Sequence, residues 1–361
     1  MQSSAPRRRS FPLNAWYVAA WSREVTRALM PRTICDRKIV MYRTEDGKPV
    51  ALEDACWHRL APLSKGWLEG DQVVCGYHGL VFNAQGRCTH MPSQETINPS
   101  ACVRAFPAVE KHGFVWLWPG EPALADPATI ADMHWVDDPA WAGEGVVTPM
   151  ACNYRLIVDN LMDLTHETFV HKTSIGNAAV AEAPFEVTHG ERTAQLTRWM
   201  LDIEPPPFWA FQLGSKLGIA GKVNVDRWQY INFEAPASVV LDVGVALAGT
   251  GAPQGDRSKG VNLRICHFIT PETERSCHFF WVLRRNFKLD DAELTVATRE
   301  RNAAIVAEDR EVLLAQQQAM EAAPDAVFYN LNIDAGAMWA RRIQERMIDD
   351  ETPPPALRAA E

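Results

Sequence analysis

Over the first third of the chain the apolar residues come in short runs broken by turn residues. Thr33 to Tyr42, Pro49 to Glu53, Val73 to Cys75 and Phe114 to Trp118 read as strands, and Asp46-Gly47 and Asn83-Ala84-Gln85-Gly86 mark hairpins between such runs. This pattern predicts an all-β module over residues 11–119. From Gly120 to Pro149 it gives way to a connector rich in proline and aspartate. Beyond that, Val239 to Val245 and Cys277 to Leu283 alternate as strands do, within a strand-bearing stretch from about Phe185 to Arg285. From Asp291 to Met320 the period changes: Ile305, Asp309, Val312 and Gln316 follow the rhythm of one helical face, so a long helix closes a second domain of residues 150–350. Residues 351–361, with proline-rich Thr352 to Pro355, read as a flexible tail. The expected fold class is α+β, and no internal repeat is evident.

Composition adds limits. A chain of 361 residues with 47% hydrophobic positions and 13 tryptophans can build about two cores. Net charge is −9 and the one basic block is Arg7-Arg8-Arg9, which argues against nucleic-acid binding, a property that depends on clustered Lys and Arg. No stretch approaches the ~20 apolar residues that cross a bilayer. The N-terminus lacks the apolar core of a secretory signal, so the chain reads as cytoplasmic. Cys35, Cys88, Cys102, Cys152, Cys266 and Cys277 show no compact disulfide spacing and read as reduced thiols.

The remaining two cysteines carry chemistry. Cys56-Trp57-His58 and Cys75-Gly76-Tyr77-His78, separated by 16 residues, place one thiolate and one imidazole in each of two turn-rich loops. A Rieske [2Fe-2S] cluster needs two cysteines on one iron and two histidines on the other. Structural zinc also accepts such a set, although zinc fingers usually place both cysteines before both histidines. Two imidazoles in place of thiolates raise the reduction potential to roughly −150 to +300 mV, so such a centre relays electrons rather than binding substrate.

A second constellation lies in Asp159-Asn160-Leu161-Met162-Asp163-Leu164-Thr165-His166-Glu167-Thr168-Phe169-Val170-His171. A five-residue step turns about 140° on a regular helix, so His166 and His171 can share one metal only if the helix ends or bulges between them. A π-bulge-like distortion near Glu167 to Val170 is therefore expected. Asp309, in the core-facing stripe of the long helix, needs a cation or a strong partner there. A helix-to-helix salt bridge would also satisfy it. Together with the two histidines it makes the two-histidine, one-carboxylate triad of non-haem Fe(II) oxygenases.

With these motifs the chain resembles the oxygenase components of Rieske non-haem iron aromatic oxygenases, most of all the vanillate O-demethylase branch, with dicamba monooxygenase as a near relative. Further matches are Asn14-Ala15-Trp16-Tyr17-Val18-Ala19, the run Asp159 to Asp163, and Arg285-Asn286-Phe287. Val225-Asp226-Arg227-Trp228-Gln229, Asp242 to Ala246 and Gly249 to Ala252 favour the vanillate branch.

The resemblance implies an N-terminal Rieske domain and a helix-grip catalytic domain, in which a curved antiparallel sheet wraps a helix over the substrate. It implies Cys56, His58, Cys75 and His78 as cluster ligands and His166, His171 and Asp309 as ligands of mononuclear Fe(II). Asp163, with Asn160 beside it, takes the family's position for passing electrons between subunits of a head-to-tail homotrimer. Its other reading is a helix-surface acid. His267 matches a position that holds substrate carboxylate, and Arg227 could do the same or stack on Trp228. Partners implied are O2, a methoxylated aromatic acid and a ferredoxin-type flavin reductase that draws on NADH. Competing readings are a pure electron-transfer Rieske protein, which would not need Asp309, and an oxygenase acting on another methoxybenzoate, on an N-methyl group or on a ring.

Overall fold

The structure, a computed structural model, describes residues 10–219 and 221–351, so the run Arg7-Arg8-Arg9 and the tail Thr352 to Pro355 lie outside the described residues. The chain forms two compact units. One holds the described residues up to Ile130 with Thr270–Glu274 and those from Gln344 onward, and the other holds Ala131–Ile269 with Arg275–Ile343.

The first unit is built from short antiparallel strands. Tyr17–Trp21, Phe114–Leu117 and Ala108–Lys111 make a three-stranded sheet. Met30–Ile34, Arg37–Arg43, Pro49–Glu53 and Ala105–Phe106 make a second sheet, and Trp67–Glu69, Gln72–Val74, Val81–Phe82 and Cys88–His90 a third. The segment expected as one strand from Thr33 to Tyr42 is instead a tight hairpin. Ile34 pairs with Arg37 while Cys35 and Asp36 take positive φ of 51° and 59°, the backbone of a two-residue turn whose twist matches its strands. Cys56 and Cys75 belong to the apolar core of this unit, beside Val40, Tyr42, Leu63 and Phe82.

The second unit carries a seven-stranded sheet in the order Gly145–Met150, Ser276–Arg285, Gly260–Thr273, Ser238–Leu247, Val225–Glu234, Thr193–Ile203, Phe185–His189. Residues 145–149, which composition assigns to the connector, thus form an edge strand, in keeping with the β-branched pair Val146-Val147. Ser238–Leu247 is buried over nearly its whole length. Leu241 and Val243 on one strand, and Ile265 (opposite Leu241) and His267 on the next, lie at the two-residue spacing that lines one face of a sheet. Facing that surface are the helix Tyr154–Met162 and the long helix Ala292–Ala322. Tyr154, Ile157, Val158, Leu161 and Met162 are buried at helical spacing. This is the α+β, helix-grip arrangement the resemblance implies.

The buried stripe of the long helix runs through Asn302, Ile305, Val306, Asp309 and Leu313, not through Val312, which is 48% exposed, or Gln316, which is also exposed. At about 100° per residue Leu313 lies roughly 30° from the centre of the face that Asn302, Ile305, Val306 and Asp309 define and Val312 about 70°, so Leu313 takes the buried place; Gln316, as close to that face as Leu313, is exposed one turn further on.

Candidate active site

The two Cys/His loops are near copies in backbone geometry. Cys56 N–H donates to Ala61 O at 2.8 Å and Leu60 N–H to Cys56 O at 2.8 Å; Cys75 N–H donates to Leu80 O at 2.8 Å and Gly79 N–H to Cys75 O at 3.0 Å. The fifth residue of each loop is left-handed, Leu60 at φ 57° and Gly79 at φ 71°. The first case is costly for a side chain that glycine would spare.

Gly66 and Gly76 let the loops approach, since a Cβ on Gly66 would stand 1.8 Å from Val74 O and one on Gly76 2.5 Å from Lys65 O. The thiols of Cys56 and Cys75 are buried together, and burial with the Cys75 contact pushes the Cys56 thiol up to about 11. The His58 and His78 rings stand 4.7 Å apart between centroids on the exposed side. Two sulfurs inside and two imidazoles outside is the segregation that a two-iron Rieske cluster requires, so these residues fit that group.

In the second unit Asn153 caps the helix Tyr154–Met162, its Oδ1 accepting from Arg155 N–H at 2.9 Å. The helix stops at Asp163, whose extended backbone (φ −133°, ψ 101°) turns the chain into the short 3-10 segment Leu164–His166. One regular turn, Glu167–Val170, then brings His171 round as its C-terminal cap. The longer helix thus breaks at Asp163, ahead of His166; between the histidines Glu167–Val170 holds no π-bulge, and the expected interruption there is the end of the short helix at Val170. The carboxylate of Asp163 accepts from Thr165 N–H at 2.8 Å and so starts a fresh turn in place of the old helix.

His166 and His171 meet Asp309 at the head of a largely apolar cavity. Each Nε2 lies near Asp309 Oδ1, at 3.3 and 3.1 Å, and the imidazole rings are 5.2 Å apart. Among the described residues these three form the one group whose ligand atoms, all within 4.8 Å of one another, could hold a single metal ion. Both Nδ1 atoms are already occupied: His166 donates to Asp163 O at 2.6 Å, and His171 to Glu308 Oε2 at 2.5 Å. Such anchors fix the ring orientation and leave both Nε2 atoms, which here meet Asp309, to be taken up by a metal. Asn160 Nδ2 donates to Asp309 Oδ1 at 3.0 Å. Burial opposes charge on all three, yet the hydrogen bonds from His166 and His171 hold the Asp309 carboxyl well below the usual carboxylate range. The reciprocal bonds raise His166 and push His171 up to about 9. Two imidazoles and a carboxylate with an apolar void beyond them fit a facial-triad iron with open positions.

Of the two residues expected to bind substrate, His267 lines the cavity, stacked on Phe279 with ring centroids 5.5 Å apart. Arg227 also lines it, but both its Nη atoms are committed, Nη2 pairing with Glu167 Oε2 at 2.7 Å and Nη1 donating to Ile175 O at 2.8 Å, while Nε is buried without a partner. It lies over Trp209 at 5.6 Å rather than over Trp228, which is covered by Arg257 at 4.4 Å. Sequence reasoning missed Glu167 and Glu308. Glu167 is buried and also accepts from Gln229 Nε2 at 3.0 Å, while Glu308 accepts from Ser174 Oγ at 3.0 Å besides His171. The available signal was their placement, each adjacent in sequence to an expected ligand.

Comparison with known proteins agrees with this geometry. Residues 15–107 match the Rieske [2Fe-2S] domain model, and residues 150–350 match the model for the vanillate O-demethylase oxygenase C-terminal domain. A vanillate O-demethylase oxygenase subunit from Pseudomonas sp. is 46% identical over 88% of this chain and 96% of its own length. The dicamba O-demethylase oxygenase component of Stenotrophomonas maltophilia is 39% identical over 84% of this chain and 87% of its own. Among solved structures, dicamba monooxygenase bound to 3,6-dichlorosalicylic acid superposes with a TM-score of 0.86 at 36% identity, covering 94% of this chain and 98% of that one.

Proposed function

The chain belongs to the Rieske non-haem iron oxygenases, with the catalytic domain of vanillate O-demethylase oxygenase subunits, and on that premise we propose that it removes the methyl group of a methoxylated aromatic acid, vanillate foremost. Protocatechuate and formaldehyde are the products. The balance is one ether, O2, NADH and a proton giving phenol, formaldehyde, water and NAD+. Cys56, His58, Cys75 and His78 would hold the cluster, and His166, His171 and Asp309 the iron. When bound, these centres supply stored electrons, delivered from NADH by a ferredoxin-type flavin reductase, and the activation of O2 for attack on a methyl C–H bond.

The chain's own part is placement. Asp163 O and Glu308 hold the two imidazoles so that both Nε2 atoms face the cavity. Leu241, Val243, Ile265 and Phe279 give the ring an apolar slot. The Glu167–Arg227 pair, both members buried, fixes the turn between the histidines to the sheet behind it. Asp163 is the electron bridge between neighbours in a homotrimer. Support for this comes from its position: one residue ends the helix, holds His166 through its carbonyl, and keeps a half-buried carboxylate beside the site. The cytoplasm, where NADH and reductase are at hand, is the proposed location.

The observation that carries the reading is the convergence of two oriented imidazoles and Asp309 on an apolar cavity. The test is formaldehyde release by purified protein with NADH, a compatible reductase and a panel of vanillate, veratrate, syringate and dicamba. Formaldehyde with the matching phenol supports the reading and ranks the substrates. Its absence from the whole panel, with both centres loaded and the cluster reduced, overturns it.

A further inference from the structure

Demethylation leaves open how the acid end of the substrate is held. The obvious cation is mostly spent, since Arg227 gives Nη2 to Glu167 and Nη1 to the Ile175 carbonyl and keeps only a buried Nε without a partner. His267 is poorly suited as well. Its Nδ1 faces Val239 O at 3.3 Å, and because a carbonyl only accepts, Nδ1 carries the hydrogen and Nε2 of the neutral ring is an acceptor.

Two other N–H groups, on residues that line the cavity, have no partner. Asn302 Nδ2 and Trp209 Nε1 are buried without a hydrogen bond, on side chains 5% and 2% exposed that line the same cavity as the triad. A buried donor left unpaired is costly, so in a substrate cavity such a group points to an acceptor supplied by the ligand. Asn302 precedes Asp309 by two helical turns on one face, roughly 10 Å along the axis. That separation matches an aromatic ring with its methoxy group at the metal end and its acid group at the other.

We propose that Asn302 and Trp209 form the acid-binding end of the cavity, their N–H groups donating to an oxygen anion on the ring, a carboxylate or sulfonate. They select acidic aryl ethers over neutral ones. This subsite rests on the demethylase reading for its choice of ligand, but binding tests it separately.

The experiment titrates cluster- and iron-loaded protein with 4-hydroxy-3-methoxybenzoate, its sulfonate counterpart and neutral 2-methoxyphenol, for the wild type, Asn302→Leu and Trp209→Phe. KM and kcat are measured for whichever ethers turn over. Trp209→Phe keeps the ring and removes the N–H, so it reports on the donor even where Asn302→Leu disturbs the helix. The expected result is that each variant weakens binding of the preferred acid by about tenfold or more, the loss of one hydrogen bond to a charged group, while 2-methoxyphenol binds as before. In turnover KM rises and kcat holds. Equal weakening of acid and neutral ether, or no change in either, overturns the proposal. A wild type that binds the acid selectively but releases no formaldehyde overturns the demethylase reading and leaves the subsite standing.

Discussion

Glu308 sets how well His171 can serve a metal without touching the metal position itself. Its Oε2 takes the Nδ1 hydrogen of His171 at 2.5 Å and thereby presents the other nitrogen to the cavity. Removing such a carboxylate costs about 10–100-fold in metal affinity. Glu308→Ala is therefore expected to load iron poorly at limiting supply, read by metal analysis, while the visible absorption of the cluster stays unchanged.

His267 gives a prediction of a different kind. Burial pushes it down to about 4, against roughly 6.5 for a free histidine. Between those values the unfolded chain binds one proton more than the folded one, so stability is complete above about pH 6.5 and falls as pH drops toward 4, by roughly 1 kcal/mol per pH unit. His267→Asn is expected to flatten that slope in melts recorded from pH 7 to pH 4.5. The ligand types and spacings made seven metal-binding candidates legible in the sequence. Glu308 and Glu167 were not, because an acid next to a histidine or aspartate in sequence looks like any surface acid until the fold places its partner, here His171 in one case and Arg227 in the other.

Among the elements, the short helix that ends between the two histidines does the most. A continuous helix would carry His166 and His171 about 140° apart, but the helix ends between them: Glu167–Val170 is a single turn, and its cap His171 leaves the helical conformation (φ −104°, ψ 34°), so both rings reach Asp309. The need for a break was readable from the five-residue spacing. The second break, at Asp163 ahead of His166, was not, because it depends on the Asp163 carboxylate capping Thr165 rather than on the residues between the histidines. Similarly, the helical period of the long helix revealed Asp309 but misjudged the far end of its stripe, where Leu313 takes the buried place expected of Val312.

Asp163→Ala is expected to retain cluster and iron and to lose about 1 kcal/mol of stability with the cap. It should nearly abolish product under multiple turnover, and an active variant would remove the bridging role. Gly176→Ala tests the turn itself. A Cβ there would lie 1.8 Å from Glu167 O and 3.0 Å from His171 O. The backbone must move, with an expected cost of about 1–3 kcal/mol and a loss of iron but not of cluster, checked by thermal melts alongside metal content.

At the scale of the whole molecule the two metal sites belong to different compact units, each with its own core and its own ligand set. Loss of one centre need not empty the other. Asp309→Ala should lose the mononuclear iron and keep the brown cluster, and full iron at that site in the variant would refute the triad. The central claim is that both centres together oxidise a methyl group. The most direct test is a single turnover of the fully reduced, iron-loaded protein with O2 and vanillate carrying a trideuterated methoxy group, with no reductase present. The account predicts dideuterated formaldehyde and protocatechuate, at up to one of each per iron site, because one C–D bond is broken. A CD3 group still on the ring, or moved intact to another acceptor, would contradict it.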